Sequence, residues 1–201
     1  MTRLDPQAFV ARLSDALRAA SAAPDLEASL RPLTELAATL GDPAAASRPG
    51  ALRDGERDYC VAGVFVVTPD RRYNMLLASV GFPPEQRRLA IPIEWNHPGE
   101  VVRTERPIII ENTDEDERFR QFLKTSRMGS SLYHPVRAGG ALVGQIVAAA
   151  QARNTYEASD LDRLGTLAGL AGALWSAHDG GAFVAADYPA PDLWRAEDHA
   201  Q

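Results

Sequence analysis

The sequence predicts a domain of the α/β class, more exactly α+β, in which helices cover a mostly antiparallel sheet. Two pairs of β-type runs, each joined by a short turn, indicate two hairpins. Amphipathic helical patterns lie near both ends of the chain. No apolar run approaches the ~20 residues that span a bilayer. The last observation argues against a membrane-spanning protein.

The N-terminal region 1–41 predicts two amphipathic helices. Asp5-Pro6 supplies a cap and a first helical residue, and a second helix is expected after Pro24. The second ends at Gly41, a residue typical of helix C-termini. The apolar positions that define the two faces are Phe9, Val10, Leu13 and Leu17, and then Leu26, Leu30, Leu33, Ala37 and Leu40. Both helices need an apolar partner.

A change of composition separates these helices from the strands. Residues 42–57 are rich in Pro, Gly, Ala, Ser and charge, which predicts a linker or exposed loop. The main domain is expected over 58–177. Its strands are predicted at 60–68, 73–80, 89–93, 107–110, 131–137 and 141–149.

The acidic run from Glu111 to Glu117 allows two interpretations. Several carboxylates together could bind a divalent cation. The favoured interpretation is a helix start, in which Thr113 and Asp116 form a capping box. The last long helix is predicted to open at Ser159, and 178–201 is expected to be a flexible tail.

Charge and cysteine content exclude several classes of function. The chain carries 21 basic and 27 acidic residues, a net charge of −6, which disfavours a nucleic-acid-binding surface. Its one cysteine, Cys60, forms no internal disulfide and supplies no multi-cysteine metal site. A cytoplasmic location with no membrane partner is expected.

Three segments resemble the second half of a GAF domain. They are Gly-Glu-Val-Val-Arg-Thr-Glu-Arg-Pro-Ile-Ile-Ile at 99–110, Ser-Leu-Tyr-His-Pro-Val-Arg-Ala-Gly-Gly-Ala-Leu-Val-Gly-Gln-Ile at 131–146, and Tyr-Glu-Ala-Ser-Asp-Leu-Asp-Arg-Leu at 156–164. The resemblance implies a central six-stranded sheet with the terminal helices on one face and a small-molecule pocket on the other. It also implies a homodimer formed through those helices.

The known chemistries of GAF relatives match this sequence poorly. Enzymatic relatives reduce free methionine sulfoxide with several cysteines, whereas Cys60 stands alone and is expected in the core. No Cys-His pair is present to attach a bilin. The cyclic-nucleotide pattern is not matched either, because Lys124 is the only lysine and no Phe followed by Asp-Glu comes after it.

Haem and a small anionic metabolite are the ligands left open. Haem requires an axial ligand, for which His97 or His134 is the candidate. Strand alternation places Tyr133 and His134 on opposite faces, so only one of them faces the pocket. An anion would bind free backbone N–H groups at a helix start capped by Asn96. The expected ligand-binding residues are Trp95, Asn96, His97, Glu100, Ile109, Met128, Tyr133 and His134.

The favoured hypothesis is a non-enzymatic sensory domain that binds a small molecule and signals to a separate output protein. Two alternatives come from other classes of function. One is an enzyme that uses Asp114, Asp116 and His97, and the other is a structural dimerisation module. A methionine sulfoxide reductase is disfavoured because the chain has one cysteine.

Overall fold

A computed structural model describes residues 3–121 and 127–199, which form one sheet with helices on both faces. Within these ranges the strands are β1 Cys60–Val67, β2 Tyr73–Val80, β3 Arg88–Pro92, β4 Ile108–Ile110, β5 Ser130–Ala138, β6 Ala141–Ala150 and β7 Leu193–Arg195. Their order is β4-β5-β6-β1-β2-β3-β7. Neighbouring strands are antiparallel except β3 and β7, which are parallel.

Helices lie at the predicted positions near both ends of the chain, except that the last one falls in the segment predicted as a tail. They are α1 Pro6–Ser21, α2 Leu26–Ala37, α3 Asn96–Thr104, α4 Ala158–Ala177 and α5 Gly180–Asp187. Asp5 and Asp25 cap α1 and α2 by accepting 2.8 Å hydrogen bonds from backbone N–H groups in the first turn. No helix of the described residues is long and apolar enough to span a membrane.

The terminal helices cover one face of the sheet, as the resemblance implied. Both α2 and α4 pack directly on strands, and α1 packs on α2. The leucines of α2 that follow the helical repeat, Leu26, Leu30 and Leu33, are almost completely buried there. Each contributes about 1.5–3 kcal/mol by leaving water. We call this side the helix face and the opposite side the pocket face.

A buried carboxylate joins the two ends of this helical layer. Asp160, in the first turn of α4, is wholly buried and accepts hydrogen bonds from the backbone N–H groups of Gly41 and Glu157. Arg3 donates to the same carboxylate. The start of α1, the end of α2 and the start of α4 are therefore held together at one point.

The C-terminal segment is not the predicted free tail. Residues 180–187 form α5, and 193–195 add a seventh strand to the predicted six. Its apolar side chains pack against both cores: Phe183, Val184, Tyr188 and Leu193 on the helix face, and Trp194 and Ala196 on the pocket face. The prediction failed because the Gly, Pro and acidic residues between them hide any clear periodic pattern.

Two further segments differ from their predictions. In the predicted linker, Ala45 and Ala51 are buried against Ala152, so this segment packs on the end of β6.

The predicted helix after residue 112 is a series of turns. Thr113 does not cap a helix, since its hydroxyl donates to the Met128 carbonyl at 2.6 Å. Lys124 lies outside the described residues.

The homodimer stays a prediction. Most of the apolar positions that predicted a partner for the terminal helices are satisfied within the chain. Among the described residues, the exposed large apolar side chains are Val10, at 58%, and Leu17, at 36%, both on α1.

We predict opposite effects of alanine at two glycines of α4. A Cβ at Gly172 would lie 1.9 Å from the backbone oxygen of Arg137 on β5, so Gly172→Ala must push the helix off the sheet. We expect a loss of about 1–3 kcal/mol or more in the free energy of unfolding. Gly169 is exposed with open space around it, so Gly169→Ala should gain up to about 1 kcal/mol. Urea unfolding of both variants measures this, and equal effects would contradict the close approach of α4 and β5.

Candidate functional site

The pocket face carries a small, partly open cavity lined mainly by apolar side chains. Because strand side chains alternate, Val61 and Phe65 of β1 point to this face while Ala62 and Val64 point to the helix face. β3, β5 and β6 add Leu89, Ile91, Tyr133 and Val147. The volume of this inner cavity is about 60 Å³, room for about two water molecules.

Aromatic rings form much of the cavity wall. Phe65 and Phe82 meet edge to face, with ring centroids 6.1 Å apart. Tyr133 stacks on His97 at 5.9 Å, and His97 lies 6.4 Å from Phe119. Rings at these distances provide a flat, apolar surface against which a planar ligand can pack.

Two hydroxyl groups interrupt this apolar lining. Ser131 is wholly buried, and its Oγ has no hydrogen-bond partner in the described part of the chain. Burial raises the pKa of the neighbouring Tyr133 to about 12 against the opposing effect of the nearby Ser131 hydroxyl, so the Tyr133 hydroxyl stays protonated; the two hydroxyls are neighbours but do not meet in hydrogen-bond geometry. Buried hydroxyls normally have partners in proteins. The Ser131 hydroxyl is therefore an exception that needs an explanation.

The pocket face is covered by α3 and by the turns that follow β4. Gln145 of β6 donates to the Pro98 carbonyl at 3.0 Å and so fixes α3 to the sheet. Residues 116–121 close the cavity from the other side, and we call them the cover segment. Phe119, Arg120 and Gln121 of this segment line the cavity.

Polar contacts hold the cover segment in place. The buried His97 places Nε2 2.8 Å from the Asp116 carboxylate, Arg118 donates to Glu100 at 2.8 Å, and the Arg120 guanidinium lies 5.2 Å from the Trp95 ring centre. Partial burial favours the neutral form of Asp116. The Arg118 backbone N–H and the His97 imidazole outweigh this and hold its pKa below the usual value.

An arginine cluster fixes the chain just before the cover segment. The Asp114 carboxylate accepts from Arg153 at 2.9 Å and from Arg127 at 3.0 Å, and it pairs with Arg53 at 2.7 Å. Burial opposes ionisation, but these arginines lower the pKa of Asp114. The acidic run is thus shared among separate cations, and no metal-binding group of His, Cys, Asp or Glu occurs within 3–121 and 127–199.

A wider, polar cleft of about 590 Å³ lies on the outer side of α3. Asn96, His97, Glu100, Arg103 and Arg118 contribute to its lining. His97 is part of the wall between this outer cleft and the inner cavity, because its ring also stacks on Tyr133.

The eight predicted ligand-binding residues fall into four places. Met128 and Tyr133 line the inner cavity. Asn96, His97 and Glu100 line the outer cleft, and Trp95 lies in an adjoining groove beside Arg120. Ile109 and His134 lie on the helix face.

The last two placements are corrections with one cause, the register of the sheet. Ile109 pairs with Leu132, and His134 pairs with Ile146, and both partners belong to the helix-face core. The His134 ring packs against Gly165 of α4. Tyr133 is therefore the member of the Tyr133–His134 pair that faces the pocket.

The predicted anion site at the start of α3 is also different in the structure. Asn96 is the first helical residue rather than a side-chain cap, with a φ of 48° and an Nδ2 atom that is buried. Gly99 donates its N–H to the Trp95 carbonyl, and Pro98 has no N–H to offer. This helix start offers fewer free donors than the sequence suggested.

Comparison with known proteins identifies the fold. The sequence model of the GAF domain matches residues 50–176, more than half of the chain. The chain belongs to the GAF family. A comparison with curated proteins found no match.

Solved structures agree with this assignment. The GAF domain of an Acinetobacter phosphoenolpyruvate-protein phosphotransferase superposes with a TM-score of 0.67 at 17% identity, over 85% of this chain and 94% of that one. The corresponding Coxiella burnetii domain gives 0.67 at 17% identity, over 87% and 96%. Free methionine-R-sulfoxide reductase from Neisseria meningitidis, in complex with its substrate, gives 0.66 at 14% identity, over 87% and 92%. At these identities the likeness shows the fold alone.

Cys60 lies outside the cavity of this GAF domain. It packs against the core of the helix face at the start of β1. Burial, reinforced by the charge of Asp58, raises the pKa of the thiol to about 11. A thiol with that pKa is a poor nucleophile at neutral pH.

The two candidate axial ligands, His97 and His134, do not favour a haem in this GAF domain. His134 faces α4, and the Nε2 of His97 is engaged by Asp116. The inner cavity, at about 60 Å³, is also far smaller than a macrocycle requires.

Several residues that line the cavity were not predicted: Val61, Phe65, Phe82, Phe119 and Ser131. For Val61, Phe65 and Ser131 the signal was present, because alternation along β1 and β5 places them on the same face as Tyr133. Phe82 and Phe119 lie in loops, where no periodic pattern exists.

We predict that Asp116 stabilises the fold in a pH-dependent way. A carboxylate whose pKa is lowered by folding contributes stability above its ordinary pKa, and this contribution is lost as the pH falls through the folded-state value. Asp116→Asn should cost about 1–2 kcal/mol at pH 7, and the difference from wild type should shrink below about pH 4. Urea unfolding across this range measures it. The exposed Asp162→Asn is the control, and a pH-independent cost for Asp116→Asn would contradict the assignment.

Proposed function

We propose that this GAF domain is a non-enzymatic regulatory domain whose small-molecule ligand binds in the inner cavity. One observation carries the proposal. The Ser131 hydroxyl is buried, lacks a partner within the described residues and lines an otherwise apolar cavity. A buried polar group left unpaired costs about 1–3 kcal/mol, and a ligand that accepts or donates there removes that cost.

The lining supports a ligand with an apolar, planar body. Phe65, Phe82, Phe119 and Tyr133 would contact that body, and Ser131 would bond its polar atom. Arg120 lies at the same cavity and favours a negative charge at the other end of the ligand. A small aromatic or branched carboxylate has this chemistry.

Occupation of the cavity requires part of its wall to move. A space of about 60 Å³ is smaller than such a ligand. The empty and filled domains must therefore differ in the position of residues 116–121 or of a strand below them. A ligand changes an equilibrium only when it binds two states unequally, and this difference provides the signal to a separate output protein.

The absence of catalysis is supported by the side chains that would be needed for it. Cys60 faces the helices, and its thiol is protonated at neutral pH. Asp114 and Asp116 are held in their charged forms by arginines and by His97, which suits structural ion pairs better than acid catalysis.

We predict a thermal shift that depends on Ser131. Small aromatic and branched carboxylates, screened with nucleotides and inorganic anions, should include compounds that raise the Tm. A compound at 100 times its Kd stabilises by about 2.7 kcal/mol. Ser131→Ala should raise the unliganded Tm, because it removes a buried hydroxyl that lacks a partner, and should weaken binding by about 3- to 10-fold, the value of one hydrogen bond.

The neighbouring Ser130 is the matched control. Its hydroxyl donates to the Ala152 carbonyl at 2.7 Å, so Ser130→Ala should cost about 1–3 kcal/mol of stability while the ligand shift persists. Two outcomes would argue for the structural dimerisation module instead. One is a ligand whose affinity is the same in wild type and in Ser131→Ala, and the other is that no compound stabilises the protein.

We predict that Cys60 is dispensable for the proposed function. Cys60→Ala should retain the ligand-induced shift, and the wild-type thiol should react with iodoacetamide at pH 8 far more slowly than glutathione does. Thioredoxin-coupled NADPH oxidation with free methionine sulfoxide should not exceed the rate without protein. Turnover that is lost in Cys60→Ala would overturn the non-enzymatic assignment.

A further inference from the structure

The seventh strand covers what would otherwise be an open edge of the sheet. β7 pairs in parallel with β3 through Leu193, Trp194 and Arg195. In the order of the sheet, β3 lies between β2 and β7, and β7 is the strand at that end. Without β7, the backbone N–H and C=O groups of β3 would be free to pair with another strand.

The segment that carries β7 packs Tyr188 and Leu193 on the helix-face core, and the Tyr188 hydroxyl donates to Asp70 at 2.9 Å. Around β7 itself, the polar contacts are fewer. The Tyr73 hydroxyl donates to Glu197 Oε1 at 2.6 Å, and Arg87 Nη1 donates to the exposed Asp192 carboxylate at 3.3 Å. The other carboxylate oxygen of Glu197 is buried without a partner in the described structure. A three-residue ladder with an unsatisfied carboxylate oxygen is weak attachment, because a buried acceptor left unpaired opposes docking.

The β7 segment and the inner cavity share the same walls. Trp194 and the buried Ala196 pack against a cluster that includes Leu89 and Ile91 of β3. Leu89 and Ile91 also line the inner cavity. Any displacement of these two side chains by a ligand therefore changes the surface on which the β7 segment rests.

We propose that the β3 edge is the output surface of this domain, closed by β7 while the cavity is empty and opened when the cavity fills. The inference rests on the proposed function, since it requires a ligand in that cavity. β1, β5 and β6 are eight to ten residues long, whereas β3 is five residues long and pairs with its outer neighbour β7 at only three positions. The ligand therefore gains the space it needs by displacing β3, the strand with the weakest support.

The freed edge fits a partner that adds an extended strand. Strand addition uses main-chain hydrogen bonds for affinity and side-chain sites for specificity. The resident segment indicates what those sites accept: an aromatic residue in the place of Trp194, followed three residues later by a carboxylate that reaches the Tyr73 hydroxyl. The partner is accordingly a protein segment with an aromatic residue and a nearby acid.

The test fills the cavity by substitution, so that no ligand is needed. Val147→Phe adds bulk beside the cluster that contains Leu89 and Ile91, whereas Ala149→Val adds bulk in the same cavity beside Val61 and Met128. Deuterium exchange of the full chain is measured at amides 193–195. We expect exchange about tenfold faster or more in Val147→Phe than in wild type, with Ala149→Val close to wild type.

A labelled peptide with the sequence of residues 188–199 tests the edge itself. By fluorescence anisotropy it should bind Val147→Phe and Trp194→Ala at least about tenfold more tightly than wild type. Equal exchange in all proteins, slower exchange in Val147→Phe, or a peptide that binds none of them would overturn the proposal. If Val147→Phe does not fold, Val147→Leu replaces it under the same criteria.

The result of the exchange and peptide experiments can be distinguished from the result of the ligand screen. A compound that stabilises the protein through Ser131 but leaves exchange at 193–195 unchanged supports the proposed function and overturns the coupling. Faster exchange in Val147→Phe with no stabilising compound supports the coupling and removes the proposed ligand.

Discussion

The alternation of side chains along the central strands is the constraint on which the rest of the structure depends. Because the period is two, each strand must satisfy two different surfaces with neighbouring residues. On β1, Ala62 and Val64 meet the helices, while Val61 and Phe65 meet the cavity. One face is sealed by three terminal helices, and the other is left to α3 and a short cover segment. The inner cavity forms on the second face because α3 and the cover segment lie over that face in place of a thick helical layer.

The two faces are held by different kinds of force. Leucines of α2 and α4 bury apolar area, which is costly to expose. The cover segment is held by His97 with Asp116 and by Arg118 with Glu100. The Arg118–Glu100 pair is partly exposed, and such pairs contribute about 0–1 kcal/mol. In the proposed function, the cover is thus a part of the structure that a ligand displaces at low cost, while the helix face stays intact.

The sequence predicted the regular elements well and the irregular ones poorly, for a physical reason. β1, β2, β5, β6 and the terminal helices carry their own periodic patterns, so their ends were predicted to within a few residues. The face of Ile109 and His134 depended on strand register, which local sequence does not determine. The turns after β4 and the β7 segment depend on distant partners, such as Met128 for Thr113 and Tyr73 for Glu197.

The location of polar and reactive groups, rather than the fold, is what the proposed non-enzymatic function depends on. Structures of similar fold include both a phosphotransferase GAF domain and a methionine sulfoxide reductase, so the fold alone does not decide between them. In this chain the thiol of Cys60 lies on the helix face, and strand alternation keeps it there as long as β1 keeps its register. A shift of one residue would bring Cys60 to the cavity but would also turn Ala62 and Val64 out of the core. The same packing that stabilises β1 therefore separates the thiol from any ligand, and the unpaired hydroxyl of Ser131 is left as the group that a ligand would meet.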